Sequence, residues 1–192
     1  TPITNDTTPD NNETFKLVAT NTGGTTNDVV TDPTKAGVAT IKDDGTGTKW
    51  SFTGATDPGT PTTNAGPGAA PGFDDDRLLT VDSITVNEGS PYAVFTVSGA
   101  ANQLASLGLA LGSSNPATAG GVDYSTATGS GLEYFDGTSW QTYVSGVVSL
   151  DGSGKLLVRT PITNDTTPDN NETFKLVVTN TGGTTNDVVT DP

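Results

Sequence analysis

The chain carries one segment twice. Residues 1–33 read TPITNDTTPDNNETFKLVATNTGGTTNDVVTDP, and residues 160–192 repeat them with a single change, Ala19 becoming Val178. The second copy begins 159 residues after the first. A period of that length is domain-sized and far exceeds the repeats of solenoids. The 192 residues thus hold one full period and 33 residues of the next. The expectation is a window on a tandem array of near-identical domains, and this sets the phase of everything between the copies.

In that phase, residues 1–45 are expected to be the C-terminal strands of a preceding repeat, or strands donated to a neighbour. Residues 46–73 (TGTKWSFTGATDPGTPTTNAGPGAAPGF) are rich in Gly, Pro, Thr and Ala and show little periodicity. They read as a Gly/Pro-rich linker or a long ordered loop. Residues 74–192 form the body of the next repeat, lacking its last strand.

Short apolar alternations follow one another through the body. DDDRLLTVDSITVNEG offers Leu79, Val81, Ile84 and Val86, and in YAVFTVSGA the residues Ala93, Phe95 and Val97 alternate with Tyr92, Val94 and Thr96. LASLGLALGS, LEYFDGTSWQTY, GVVSL, KLLVRTPIT and ETFKLVVTN are further candidates, the last with Phe174, Leu176 and Val178 on one face. The Asp-Gly of FDGT predicts a two-residue primed hairpin turn. AGVATIKDDG at 36–45 is a strand ending in paired carboxylates. About seven short strands with turn signals between them predict an all-β chain, an immunoglobulin-like antiparallel β-sandwich.

Composition narrows the chemistry. The net charge is −14 with a sequence pI near 4.1, and there is no Cys, Met or His. Nucleic acid and anionic membrane need clustered Lys or Arg, so neither is an expected partner. No apolar run reaches membrane-spanning length, so membrane insertion is not expected. A Ser-His-Asp triad, cysteine nucleophiles and disulfides are excluded, and zinc loses its usual ligands. The remaining metals are hard cations liganded by oxygen, Ca²⁺ or Mg²⁺.

Carboxylates gather in four groups. The first is Asn5, Asp6, Asp10 and Glu13, with its twin Asn164, Asp165, Asp169 and Glu172. The second is Asp43 and Asp44, just past a strand; the third is Glu88 in VNEG; the fourth is Asp123 in GVDY. Ca²⁺ takes six to eight oxygens from carboxylates, amides, backbone carbonyls and water. Alternate connections of a sandwich meet at one end, so these groups can converge there. Like charges would repel, and a bound cation removes that penalty. Asp, Asn and Gly are also ordinary turn residues, and solvated loops account for the same residue types.

VDSITVNEGSPYAVFTVSG, GVDY, LLVRTPITNDTTPDNNETFKLVVTN and VATIKDDG, taken in cyclic order, resemble the Calx-beta domain. That family is found in sodium/calcium exchangers and in very large bacterial surface proteins. The resemblance covers all but the linker, and implies a seven-stranded sandwich with calcium at one end. Carried over, the ligands fall on Glu88, Asp123, Asn164, Asp165, Asp169 and Glu172, with the Thr167 carbonyl and the terminal aspartates. In the N-terminal copy they fall on Asn5, Asp6, Thr8, Asp10, Glu13, Asp43 and Asp44. Where the exchangers have a run of aspartates, this chain has Asn164, Asp165 and Thr166, which implies fewer or weaker sites.

The expected function is structural: a calcium-rigidified tandem repeat of a secreted, adhesin-like bacterial surface or matrix protein. Its expected partners are neighbouring copies of itself, joined head-to-tail by strand complementation into a filament. The alternative is a carbohydrate-binding module presenting Trp50, Trp140, Tyr134 and Tyr143 to surface glycans. No enzyme is expected. Glu88 and Asp123 could be cast as a glycosidase pair, but both already have a metal role.

Overall fold

The computed structural model describes residues 1–4, 12–17, 37–64, 73, 75–128, 131–168 and 171–180, and the backbone of 188–190. The chain is all-β, with no helix among these residues, and its strand ladders are all antiparallel. The body forms two sheets. One has the order β5 (Thr80–Val81), β6 (Tyr92–Ser98), β11 (Lys155–Pro161), β8 (Leu132–Phe135), β9 (Trp140–Tyr143). The other has the order β10 (Val148–Ser149), β7 (Leu104–Leu111), β12 (Phe174–Asn180), β13 (Val188–Thr190).

The alternation expected from the sequence is realised. Ala93, Phe95 and Val97 of β6 and Leu156 and Val158 of β11 are buried on one side. They meet Ala105 of β7 and Leu176 and Val178 of β12 in a single cluster, the core of a β-sandwich. Each large aliphatic side chain so buried contributes about 1.5–3 kcal/mol. A polar tie joins the sheets: the Leu107 amide donates to the Tyr143 hydroxyl (3.0 Å), which donates to the Gly146 carbonyl (2.7 Å). Buried Tyr143 is therefore a core residue with its hydroxyl satisfied.

Side chains of Asp redraw two elements. Among the described residues the two sheets hold nine strands rather than about seven, and β5 stops at Val81. Asp82 ends it: its carboxylate takes the Thr96 amide (2.6 Å), replacing the backbone carbonyl that a continuing ladder would use. Ile84 and Val86 still pack against the core, outside any strand. The FDGT turn is a four-residue loop between Phe135 and Trp140, not a two-residue primed turn. Asp136 accepts the Thr138 and Ser139 amides (both 2.8 Å), and Gly137 takes φ 95°. These amides, Ser139 first, hold the Asp136 carboxyl below the usual range.

The stretch expected as linker also contains structure. β3 (Gly47–Ser51) and β4 (Thr60–Asn64) form a hairpin, closed by Asp57, which accepts from Thr53 and from the Gly59 amide. Pro61 within the second strand disguised it, since proline demotes a strand pattern. Ahead of it, β1 (Thr14–Leu17) and β2 (Gly37–Thr40) pair as a separate two-stranded sheet with every residue exposed.

Candidate functional site

A cleft of about 660 Å³ lies at one end of the sandwich, lined on two sides by residues 84–88 and 171–175. Its inner wall is apolar. Phe174 stacks on buried Tyr124 (4.2 Å between centroids, 10° between planes) and meets Phe95 edge-on at 5.9 Å. Burial, and next the charge of Asp123, push the Tyr124 phenol up from its ordinary value. Glu88, Asp123 and Glu172 line the same cleft.

Local hydrogen bonds explain the positions of these carboxylates. Asp123 turns back on its own loop: its side chain accepts the Thr118 amide (2.5 Å), its amide donates to the Thr118 carbonyl (3.0 Å), and its carbonyl accepts from Thr163 (2.8 Å). Glu88 sits within a turn in which the Asn87 side chain accepts the Gly89 amide (2.9 Å). The Glu88 carboxylate accepts the Asp165 amide at 2.9 Å. Asp165 in turn accepts the Thr167 amide (2.5 Å). The VNEG turn thus touches the start of the NDTTPDNNE loop across 77 residues.

Of the residues expected at a cation site, the structure brings Glu88, Asp123, Asp165 and Glu172 to this end, while Asn164 and Thr167 are exposed beside them. Among the described residues, no three acidic side chains stand close enough together to hold a metal ion. Asn5, Asp6, Thr8, Asp10 and Asp169 lie outside the described residues. Glu13 borders β1, where its carbonyl accepts the Ile41 amide (2.8 Å).

Asp43 and Asp44 do not join the cleft of their own chain. Asp44 forms an antiparallel bridge with Asp75, and the Asp76 amide donates to the Asp43 carbonyl (3.3 Å). Arg77, absent from the expected site residues, stands next to this bridge. Its guanidinium grips fully buried Asp75 through both carboxylate oxygens (2.8 and 2.6 Å). The hydrogen bond to Asp75 raises the arginine further above its ordinary value, and the charge of Asp44 adds to this. Asn180, at the far end of β12, donates to the carbonyls of Asp75 and Arg77. The signal was available: DDDR places one of only eight cationic residues directly after three aspartates.

The aromatic candidates separate by environment. Arg159 lies between the rings of Tyr92 (3.9 Å) and Trp140 (4.2 Å) and donates to Glu133 (2.6 Å). Trp140 also packs on Phe135 at 5.5 Å, and Tyr134 packs against the core. Trp140→Ala is expected to lower stability by about 1–2 kcal/mol through the lost ring and cation contacts, without a glycan-binding defect. Urea unfolding together with polysaccharide pull-down checks this; lost binding at unchanged stability would reverse the assignment. Trp50 and Phe52 are exposed and flank Gly59, whose φ of 91° and close ring contacts leave no room for a side chain.

Compared with known proteins, the chain matches no family model, no curated protein and no solved structure.

Proposed function

We propose that this chain is a calcium-binding structural repeat of an extracellular, adhesin-like bacterial protein. The observation that carries the proposal is the contact between the Glu88 carboxylate and the Asp165 amide, which gathers two distant acidic loops beside Asp123 and Glu172 at one cleft. A chain of net charge −14 repels itself, and a divalent cation held between its loops relieves that repulsion and stiffens the sandwich end. The resemblance to Calx-beta domains supports the same assignment and the placement at a bacterial surface. Glu88 and Asp123 serve the cation in this account, with no catalytic step.

Calorimetric titration with CaCl₂, with MgCl₂ as control, tests the proposal. The expected dissociation constant is about 10⁻⁴–10⁻³ M, the range of extracellular calcium modules. The double variant Glu88→Gln, Asp123→Asn is expected to abolish the calcium heat while keeping the β-rich circular dichroism. Binding that persists in this variant, or that fails to distinguish Ca²⁺ from Mg²⁺, would overturn the site. A carbohydrate-binding role stands second, carried by exposed Trp50 and Phe52.

A further inference from the structure

The hairpin of β3 and β4 presents one face of distinctive make-up. Thr48 lies opposite Thr63, and Trp50 opposite Pro61. Directly opposite residues share a face, and so do alternate residues along a strand. These four therefore line one face, on which the Thr48 and Thr63 hydroxyls meet at 2.9 Å. Phe52 and Gly59 extend it at the loop end. A side chain at position 59 would run into the Phe52 ring at 2.6 Å and the Trp50 ring at 3.0 Å. Both rings thus rest against one glycine.

The loop that carries this glycine is fixed by its own hydrogen bonds. One oxygen of the Asp57 carboxylate takes the Gly59 amide (2.8 Å), and the other takes the Thr53 amide and hydroxyl (both 2.7 Å). These bonds, the Thr53 hydroxyl first, hold the Asp57 carboxyl below its ordinary value. Gly59 itself adopts φ 91°, a conformation open to glycine and costly for other residues. Although both are anchored in this way, Trp50 remains 52% exposed and Phe52 63%.

The size of the patch decides what can cover it. A fully buried aromatic side chain removes about 150–250 Å² from water. At their exposures the two rings together offer roughly 250 Å². A stable protein interface takes about 800 Å² from each partner. The patch is about threefold too small for a second copy or another protein, and its match is a ligand of two small rings.

Charge narrows the occupant further. Thr48, Trp50, Phe52, Gly59, Pro61 and Thr63 are all neutral, in a chain of net charge −14. Lys49, between Thr48 and Trp50, belongs to the opposite face by the same alternation. Anionic glycans are repelled by the chain at large and meet no cation among these six residues. A neutral pyranose with equatorial hydroxyls suits both halves of the surface. Its C–H face is attracted to the negative face of an aromatic ring. The hydroxyls at its rim match the paired threonine hydroxyls.

We propose that this face binds a neutral polysaccharide of equatorial hexoses, with neighbouring sugar rings stacked on Trp50 and Phe52. The inference rests on the carbohydrate reading placed second above, and gives that reading a substrate class and a place in the fold. Asp57 is a positioning residue that acts through Gly59.

Cellohexaose, a neutral equatorial glucan, is the probe. It is titrated in EGTA and followed by the backbone amide shifts of the whole chain. The unsubstituted chain is expected to bind it, with shifts centred on Trp50, Phe52 and Gly59. Trp50→Ala and Phe52→Ala are each expected to weaken binding at least about tenfold, through the lost burial and stacking of one ring. Trp50→Leu keeps an apolar side chain over Gly59 without a flat ring, and is expected to bind as poorly as Trp50→Ala. Trp50→Tyr keeps the ring and should stay within about threefold of the unsubstituted chain. Trp140→Phe should leave binding unchanged. Full affinity in Trp50→Leu, or binding lost in Trp140→Phe, would overturn the platform. Self-association that disappears in Trp50→Ala, read by light scattering, would also overturn it by making a second copy the occupant. Binding of polygalacturonate but not cellohexaose would overturn the neutral class and leave the carbohydrate reading standing, whereas binding of neither would remove both. The assay holds no calcium, so its outcome is separate from that of the cation site.

Discussion

Arg77→Ala is expected to lower the unfolding free energy by about 3–4 kcal/mol, the cost of stripping a buried charge of its partner. Asp75 is fully buried, and both of its carboxylate oxygens are held by the guanidinium. Without Arg77 that charge has little else to meet it, and Asp44 lies beside it in the bridge. The effect is larger than deletion of a surface ion pair, which costs at most about 1 kcal/mol. Urea unfolding reads it as a lower midpoint at an unchanged slope. The control is Asp75→Asn with Arg77→Met, which removes both charges and should recover much of the loss, since replacing both partners of a buried pair is often neutral. A single-variant loss below about 1 kcal/mol would mean that Asp75 is satisfied elsewhere and that Arg77 does not organise the acidic junction.

Calcium is expected to produce the second large effect. A ligand that binds only the folded chain adds about 2.7 kcal/mol at one hundred times its dissociation constant. For a body of this size that corresponds to a rise of roughly 10 °C in Tm at about 10 mM Ca²⁺, if the site binds near 10⁻⁴ M. Scanning calorimetry in EGTA, Ca²⁺ and Mg²⁺ separates specific binding from general screening of the negative chain, because screening would raise Tm similarly with both cations. An equal or absent shift would return Glu88, Asp123, Asp165 and Glu172 to ordinary solvated turn groups.

Much of the fold was legible because it rests on a local rule. A period-two alternation shows which residues of β6, β11 and β12 face inward, and the core cluster follows it. What escaped depends on side-chain hydrogen bonds that compete with the backbone. Asp82 ends β5 early and Asp136 widens a turn, and neither event has a periodicity to betray it. The cleft was half legible: Glu88, Asp123 and Glu172 do share one end. The destination of Asp43 and Asp44 was not, because it depends on a backbone bridge from Asp44 to Asp75, a contact between distant segments that no local pattern announces.

The long ladders carry a mechanical consequence. β6 with β11 and β7 with β12 are each joined over seven consecutive residue pairs. Their hydrogen bonds lie across the strands. Tension applied along the strand direction, as between the two ends of the sandwich, therefore loads a whole ladder in shear, so that its bonds must yield together. The same pull applied across the sheet would open them one after another at far lower force.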